Sequence, residues 1–300
     1  MKNVTDIWQT GLVRRTIADV MKTGVDGADI LWLPEPGPFR FNADPFGLWH
    51  NGLLTVLVEA YDYRTKHGEI HYYSYDPDWN LAGQGVALRE PFHLSYPQII
   101  RDGDHVYLLP EAHRSGKLTL YRAIRFPDRW QPMEVLMEAP AIDATVAWHA
   151  GRWWMFYALP GPDQQAMREL HVAYADAVTG PWHPHDANPV LTGIETSRPG
   201  GTPFAFEGAL HLPVQDCAAT YGAAVNVLKI TELTPERFAA SIVKRFEPGI
   251  HPNFRDGLHT LAAAGDVTLI DVKRLDKSSR LWVDLERRLN RFLGKEKGTP

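Results

Sequence analysis

Short segments of alternating apolar and polar residues, each closed by Gly, Asn or Asp, recur along the whole chain. Period-two alternation with such punctuation predicts strands joined by tight turns. The first clear unit is Ala43-Asp44-Pro45-Phe46-Gly47-Leu48, a turn at His50-Asn51-Gly52, then Leu53-Leu54-Thr55-Val56-Leu57-Val58-Glu59. The same beat returns at Ser95–Ile100 with His105–Leu109, at Asp143–Trp148 with Trp153–Tyr157, at Gly201–Phe206 with Leu210–Val214, and at Leu258–Ala263 with Val267–Asp271. Measured between Pro45, Pro97, Thr145, Pro203 and Thr260, the spacings are 52, 48, 58 and 57 residues. That period suits one blade of a propeller.

Each of the first four hairpins is followed by a third strand, at Gly68–Tyr73, Gly116–Tyr121, Arg168–Tyr174 and Tyr221–Val227, with a tryptophan beyond it at Trp79, Trp130 and Trp182. The fifth unit has two strands before the polar stretch Lys273–Arg280, which would leave an open sheet edge. The N-terminus can fill it, with Ile7–Arg15 as a third strand and Asp29–Leu33 as a fourth. The expected fold is therefore all-β, a five-bladed β-propeller over residues 1–278 closed by N- and C-terminal strands, followed by a C-terminal helix and tail over 279–300. In that helix Leu281, Leu285, Leu289 and Phe292 share one face, and Arg287, Arg288 and Arg291 the other. The helix is expected to pack on the propeller by its apolar face and to be dispensable for ligand binding; docking on a partner or an anionic membrane is the alternative.

Composition narrows the function. The chain has 300 residues, 44% hydrophobic and 22% charged, which excludes disorder and fibrous repeats. With 31 Lys and Arg against 36 Asp and Glu, the net charge of −5 argues against a nucleic-acid surface and for a small or neutral ligand. Cys217 stands alone, so intrachain disulfides and cysteine metal clusters are ruled out, and it reads as a buried hydrophobe. No apolar run is long enough for a signal peptide or a membrane span, and a cytoplasmic location is expected. No Gly-x-Gly-x-x-Gly or P-loop occurs, so no nucleotide cofactor is expected, and Trp182-His183-Pro184-His185 reads as a Pro-broken outer turn.

In a propeller the starts of the innermost strands and the ends of the second strands meet at one end of the central channel. That rule gathers Asp44 and Glu59 from blade one, Tyr96 and Glu111 from blade two, Asp143 and Tyr157 from blade three, Arg198 or Thr202 with Asp216 from blade four, and His259 with Asp271 from blade five. Carboxylates in a funnel with aromatic residues are suited to acid/base chemistry on a sugar.

The runs Phe41-Asn42-Ala43-Asp44-Pro45-Phe46, His93-Leu94-Ser95-Tyr96-Pro97, Leu109-Pro110-Glu111, Leu120-Tyr121-Arg122-Ala123 and Phe126-Pro127-Asp128-Arg129-Trp130 resemble one family over residues 5–275. It is the propeller at the N-terminus of plant glucosamine inositolphosphorylceramide transferases and in stand-alone bacterial relatives, itself similar to glycoside hydrolase family 43. The resemblance implies Asp44 as a general base and Asp143 as the aspartate that tunes the acid and orients the sugar. The blade-four glutamate of the hydrolases has no counterpart, since Ser197-Arg198-Pro199-Gly200-Gly201-Thr202 holds no carboxylate and Glu207 lies at the far end of its strand. Glu111 or Glu59 is then the candidate acid. His259 falls where some family 43 members carry a histidine near a central metal ion, although one imidazole is a weak metal signature. The readings that follow are a carbohydrate-active enzyme using Asp44, Glu111 and Asp143, with Glu59, Tyr96, Tyr157, Arg198, Asp216 and His259 contacting a small-molecule or glycan substrate, or alternatively a sugar-binding module or glycosyltransferase accessory without turnover, or a different lytic or transfer reaction in the same funnel.

Overall fold

The computed structural model describes residues 4–276 and the helix Ser279–Phe292, with helix side chains described from Trp282 to Leu289. Five antiparallel sheets form the five blades. Blade one runs through Arg40–His50, Leu53–Asp62, His67–Tyr75 and Leu81–Leu88; blade two through Ser95–Asp102, His105–Glu111, Leu118–Arg125 and Arg129–Met137. Blade three comprises Ile142–His149, Arg152–Ala158 and Glu169–Ala175, with an outer edge in two short pieces, His183–Pro184 and Leu191–Thr192. The segment expected as a Pro-broken turn thus supplies part of an outer strand.

Blade four departs from the expected single inner strand. It is split into Arg198–Pro199 and Phe204–Phe206, ahead of Ala209–Asp216, Ala224–Leu233 and Phe238–Phe246. The break falls at Gly201, whose φ of +140° only glycine adopts readily, and where an added Cβ would lie 1.9 Å from the Leu261 carbonyl oxygen. The Gly201 peptide is bound from two other blades: its N–H donates to Tyr96 Oη (2.6 Å), and its carbonyl accepts from Tyr96 Oη (3.1 Å) and Thr145 Oγ1 (3.2 Å). It therefore lies where blades two, three, four and five meet.

Blade five is completed from the other end of the chain, as the sequence predicts. Gly257–Ala264 pairs with Val267–Asp276, Thr5–Val13 pairs with Val267–Asp276 along its whole length, and Ile30–Trp32 forms the outer edge. The second strand runs past Lys273, where the sequence turns polar. The reason is local: Lys273 is fully buried, its Nζ donating to the Tyr221 carbonyl and lying 5.2 Å from the centre of the Trp8 ring.

The C-terminal helix packs by a different face from the one expected. Val283 is 2% exposed, whereas Leu285 and Leu289 are 53% and 57% exposed. Arg287, expected on the solvated side, donates to the carbonyls of Tyr63 and Arg64. Satisfying two rim carbonyls with a guanidinium turns Val283 inward and the leucine stripe outward. Leu281, Phe292 and Arg291 lie outside the described side chains. No helix among the described residues is long and apolar enough to cross a membrane.

Candidate functional site

All five innermost strands are interrupted at the same end. Register shifts fall between Ala43 and Phe46, Ser95 and Gln98, Ile142 and Thr145, and Leu258 and Leu261, and blade four is split there. At three of these bulges the residue is left-handed: Asp44 (φ +50°), Tyr96 (φ +45°) and Asp143 (φ +47°). A bulge turns one side chain out of the regular alternation and frees a backbone N–H. A neighbouring side chain takes each of these groups. Asp44 N donates to Asp271 Oδ2 (2.9 Å), Tyr96 N to Asp44 Oδ2 (3.2 Å), and Asp143 N to Glu111 Oε2 (3.0 Å).

The resulting cavity, about 280 Å³, brings together Asp44, Glu59, Glu111, Asp143, Arg198 and His259. The other three expected contacts are spent elsewhere. Tyr96 is fully buried with its hydroxyl on Gly201, Tyr157 stacks on His171 within the blade-three core, and Asp216 pairs with Arg245 and caps Ala218 N (2.8 Å). Residues outside the strand-end rule also line the cavity: Trp8, Tyr61, Tyr63, His93, His113 and Tyr221. His113 sits two residues beyond Glu111 and donates Nδ1–H to its Oε1 at 2.6 Å, an i,i+2 relation readable from sequence. Trp8 and Tyr221 arrive from distant segments and could not be inferred locally.

The carboxylates experience different environments. Burial, reinforced by Asp44 and Glu111, pushes Glu59 well above the usual carboxylate range. Asp44 is raised by burial to about 6, against the pull of His259. Burial would raise Glu111 too, but its hydrogen bonds with His113 and Asp143, together with Arg198, hold it down at about 2. Asp143 Oδ2 accepts from Arg198 Nε (2.7 Å) and from the Gln215 amide (2.8 Å). Arg198 also lies 5.2 Å from the Tyr221 ring centre. Beside Glu59, burial lowers His93 to about 4. The Gly68 N–H donates to His93 Nδ1 (2.9 Å), so the neutral ring carries its proton on Nε2, 3.5 Å from Glu59 Oε1.

Asp44, His259 and Asp271 have potential ligand atoms within 4.8 Å of one another. They do not fit a resident cation. Asp271 Oδ1 accepts from His259 Nδ1 (2.7 Å), His259 N and Thr260 N, and Oδ2 from Asp44 N and Thr260 Oγ1. That leaves one imidazole nitrogen and one aspartate, too few ligands for a metal centre. The imidazole is held as a wall instead, stacked on Trp8 at 3.6 Å between ring centres.

Among solved structures, a family 117 glycoside hydrolase from the marine bacterium Zobellia galactanivorans superposes with a TM-score of 0.56 at 15% identity, covering 82% of this chain and 88% of that one. A family 43 β-xylosidase/α-arabinofuranosidase from a compost microbial metagenome gives 0.54 at 12% identity, covering 81% and 93%. These show a shared fold. In sequence, glucosamine inositolphosphorylceramide transferase 1 of Oryza sativa subsp. indica is 36% identical over 207 residues, and that of Arabidopsis thaliana 32% over 205, each match covering 67% of this chain. The matched stretch is 28% of the rice protein and 27% of the Arabidopsis one. Residues 34–251, from the entry to blade one through the end of blade four, match the family model described as glucosamine inositolphosphorylceramide transferase 1, N-terminal, and the chain belongs to that family.

Proposed function

We propose that the funnel performs acid/base cleavage of a glycosidic bond in a sugar or glycoconjugate. The observation that carries this reading is the placement of Asp44 and Glu59 in one cavity with opposite proton demands. Glu59 lies opposite Ala43 on the adjacent strand, so the two carboxylates come from neighbouring positions of blade one. Burial and the neighbouring carboxylates make Glu59 hold its proton more tightly than an ordinary carboxyl, which suits it to give that proton to the leaving oxygen, while Asp44, raised to about 6, can take a proton from water. The water oxygen bonds to the anomeric carbon as the glycosidic C–O bond breaks, one proton passing to Asp44 and one from Glu59 to the leaving group. Glu111, held ionised, serves to position Asp143 through its backbone, and Asp143 with Arg198 is placed to orient substrate hydroxyls. Glu59 thus supplies the acid that blade four lacks. The names of the relatives and of the structural neighbours support a sugar as the ligand class.

A binding-only reading also has an observation behind it, since Asp44 and Glu111 hold backbone groups between blades and so have a structural role without chemistry. A turnover screen against aryl glycosides and sugar nucleotides, with wild type, Asp44→Asn and Glu59→Gln, separates the two. The enzyme reading expects turnover to fall about 10²–10⁴-fold in each variant with ligand still bound. A wild type that binds a glycan and never turns it over would establish the binding-only alternative.

A further inference from the structure

Beside the funnel, at the seam between blades five and one, lies a second cavity of about 440 Å³, within the size range of small-molecule sites. Trp8 separates the two: it lines both cavities, and its indole covers His259 in the funnel. Trp282 of the C-terminal helix lines it as well, with Phe39 and Phe254. Val283 and Arg287 anchor that helix, yet Trp282 is left 62% exposed at the cavity mouth. An indole so exposed is an available stacking surface.

The polar groups of the seam cavity indicate what would stack. Arg274 lines it with its guanidinium 5.0 Å from the Phe254 ring centre, and its buried Nε–H has no acceptor among the described residues. A buried donor without a partner is costly and is relieved by an acceptor entering the cavity. Arg40 is already paired with Asp62 (3.0 Å), which leaves Arg274 with Glu35 and Asp276 in the lining, a set that disfavours an anion and suits an uncharged polyol. A pyranose meets both demands, since its C–H face stacks on indole and its hydroxyls accept from a guanidinium.

We propose that this seam cavity is a second sugar subsite, so that the ligand is an oligosaccharide or glycoconjugate spanning funnel and seam across Trp8. The inference rests on the sugar ligand class argued above, and it makes the C-terminal helix part of the binding site. The test is a glycan array of mono-, di- and trisaccharides probed with the full chain as wild type, Trp282→Ala and Trp282→Phe, each checked by thermal melting. Retained glycans should contain two or more units, Trp282→Ala should weaken them about tenfold without lowering the melting temperature, and Trp282→Phe should restore most of the loss. Retention of monosaccharides alone, equal binding by Trp282→Ala, preference for an apolar linker over the glycan, or no retained glycan at all would each overturn it. The array reads binding without turnover, so undiminished turnover in Glu59→Gln would remove the acid/base reading and leave this result standing.

Discussion

The backbone N–H of Asp44 donates to Oδ2 of Asp271 at 2.9 Å, tying the first blade to the last at the centre of the propeller. Asp271 is fully buried and also accepts from His259 and Thr260. Asp271→Asn would oppose its amide to one set of these donors. Loss of about 3 kcal/mol of stability is expected, read from urea unfolding, because several buried donors lose a charged acceptor together. An unchanged midpoint would show that blade closure does not depend on this carboxylate.

Closure also depends on the N-terminal strands. Thr5–Val13 pairs along its full length with Val267–Asp276. Deleting residues 1–35 bares the edge of Val267–Asp276 and removes Trp8, Leu12 and Val13 from the core. Cooperative unfolding should disappear and aggregation increase; a truncated chain that melts like the full one contradicts this.

Gly201→Ala tests the peptide at the meeting of four blades. With a Cβ 1.9 Å from Leu261 O and a φ of +140°, no rotamer change can relieve the clash. The variant is expected to lose several kcal/mol or fail to fold, as the strained backbone and the bonds to Tyr96 and Thr145 fail together. Wild-type thermal stability would mean the backbone here can move.

Glu111 gives a pH dependence of defined sign. Its folded value of about 2 lies below the ordinary 4.5, so its stabilising contribution is complete above about 4.5 and is lost as pH falls toward 2. The amount is on the order of 3 kcal/mol. Glu111→Gln should flatten that part of the acid limb in urea unfolding at stepped pH, and an identical limb in the variant would count against it.

Asp44 acts in the opposite sense. Its folded value is raised, so the native state holds its proton more tightly, and stability falls as pH rises from about 4 through about 6. Asp44→Asn should remove that decline. The same ionisation should appear as the acidic limb of turnover, with the rate rising through about pH 6 and falling at higher pH as Glu59 loses its proton. A flat rate between pH 5 and 7 would remove Asp44 as the base.

The repeat, the five blades and their closure by the N-terminus were legible because they rest on period-two patterning and turn residues, which are local, and on an unpaired edge that had to be covered. The strand-end rule brought Asp44, Glu59, Glu111, Asp143, Arg198 and His259 to one cavity for the same reason. It did not distinguish them from Tyr96, Tyr157 and Asp216, because the partners that take those side chains, Gly201, His171 and Arg245, are brought to them only by the fold. Proton affinities were likewise out of reach: Glu59 and Glu111 end equivalent strands, but hydrogen bonds with His113 and Asp143 and the Arg198 charge hold Glu111 down, while burial and neighbouring carboxylates push Glu59 up. The helix shows the same division. Its apolar stripe could be read from spacing, but the packed face was decided by two rim carbonyls that Arg287 satisfies, a hydrogen-bonding demand created only when blade one and the C-terminal segment meet.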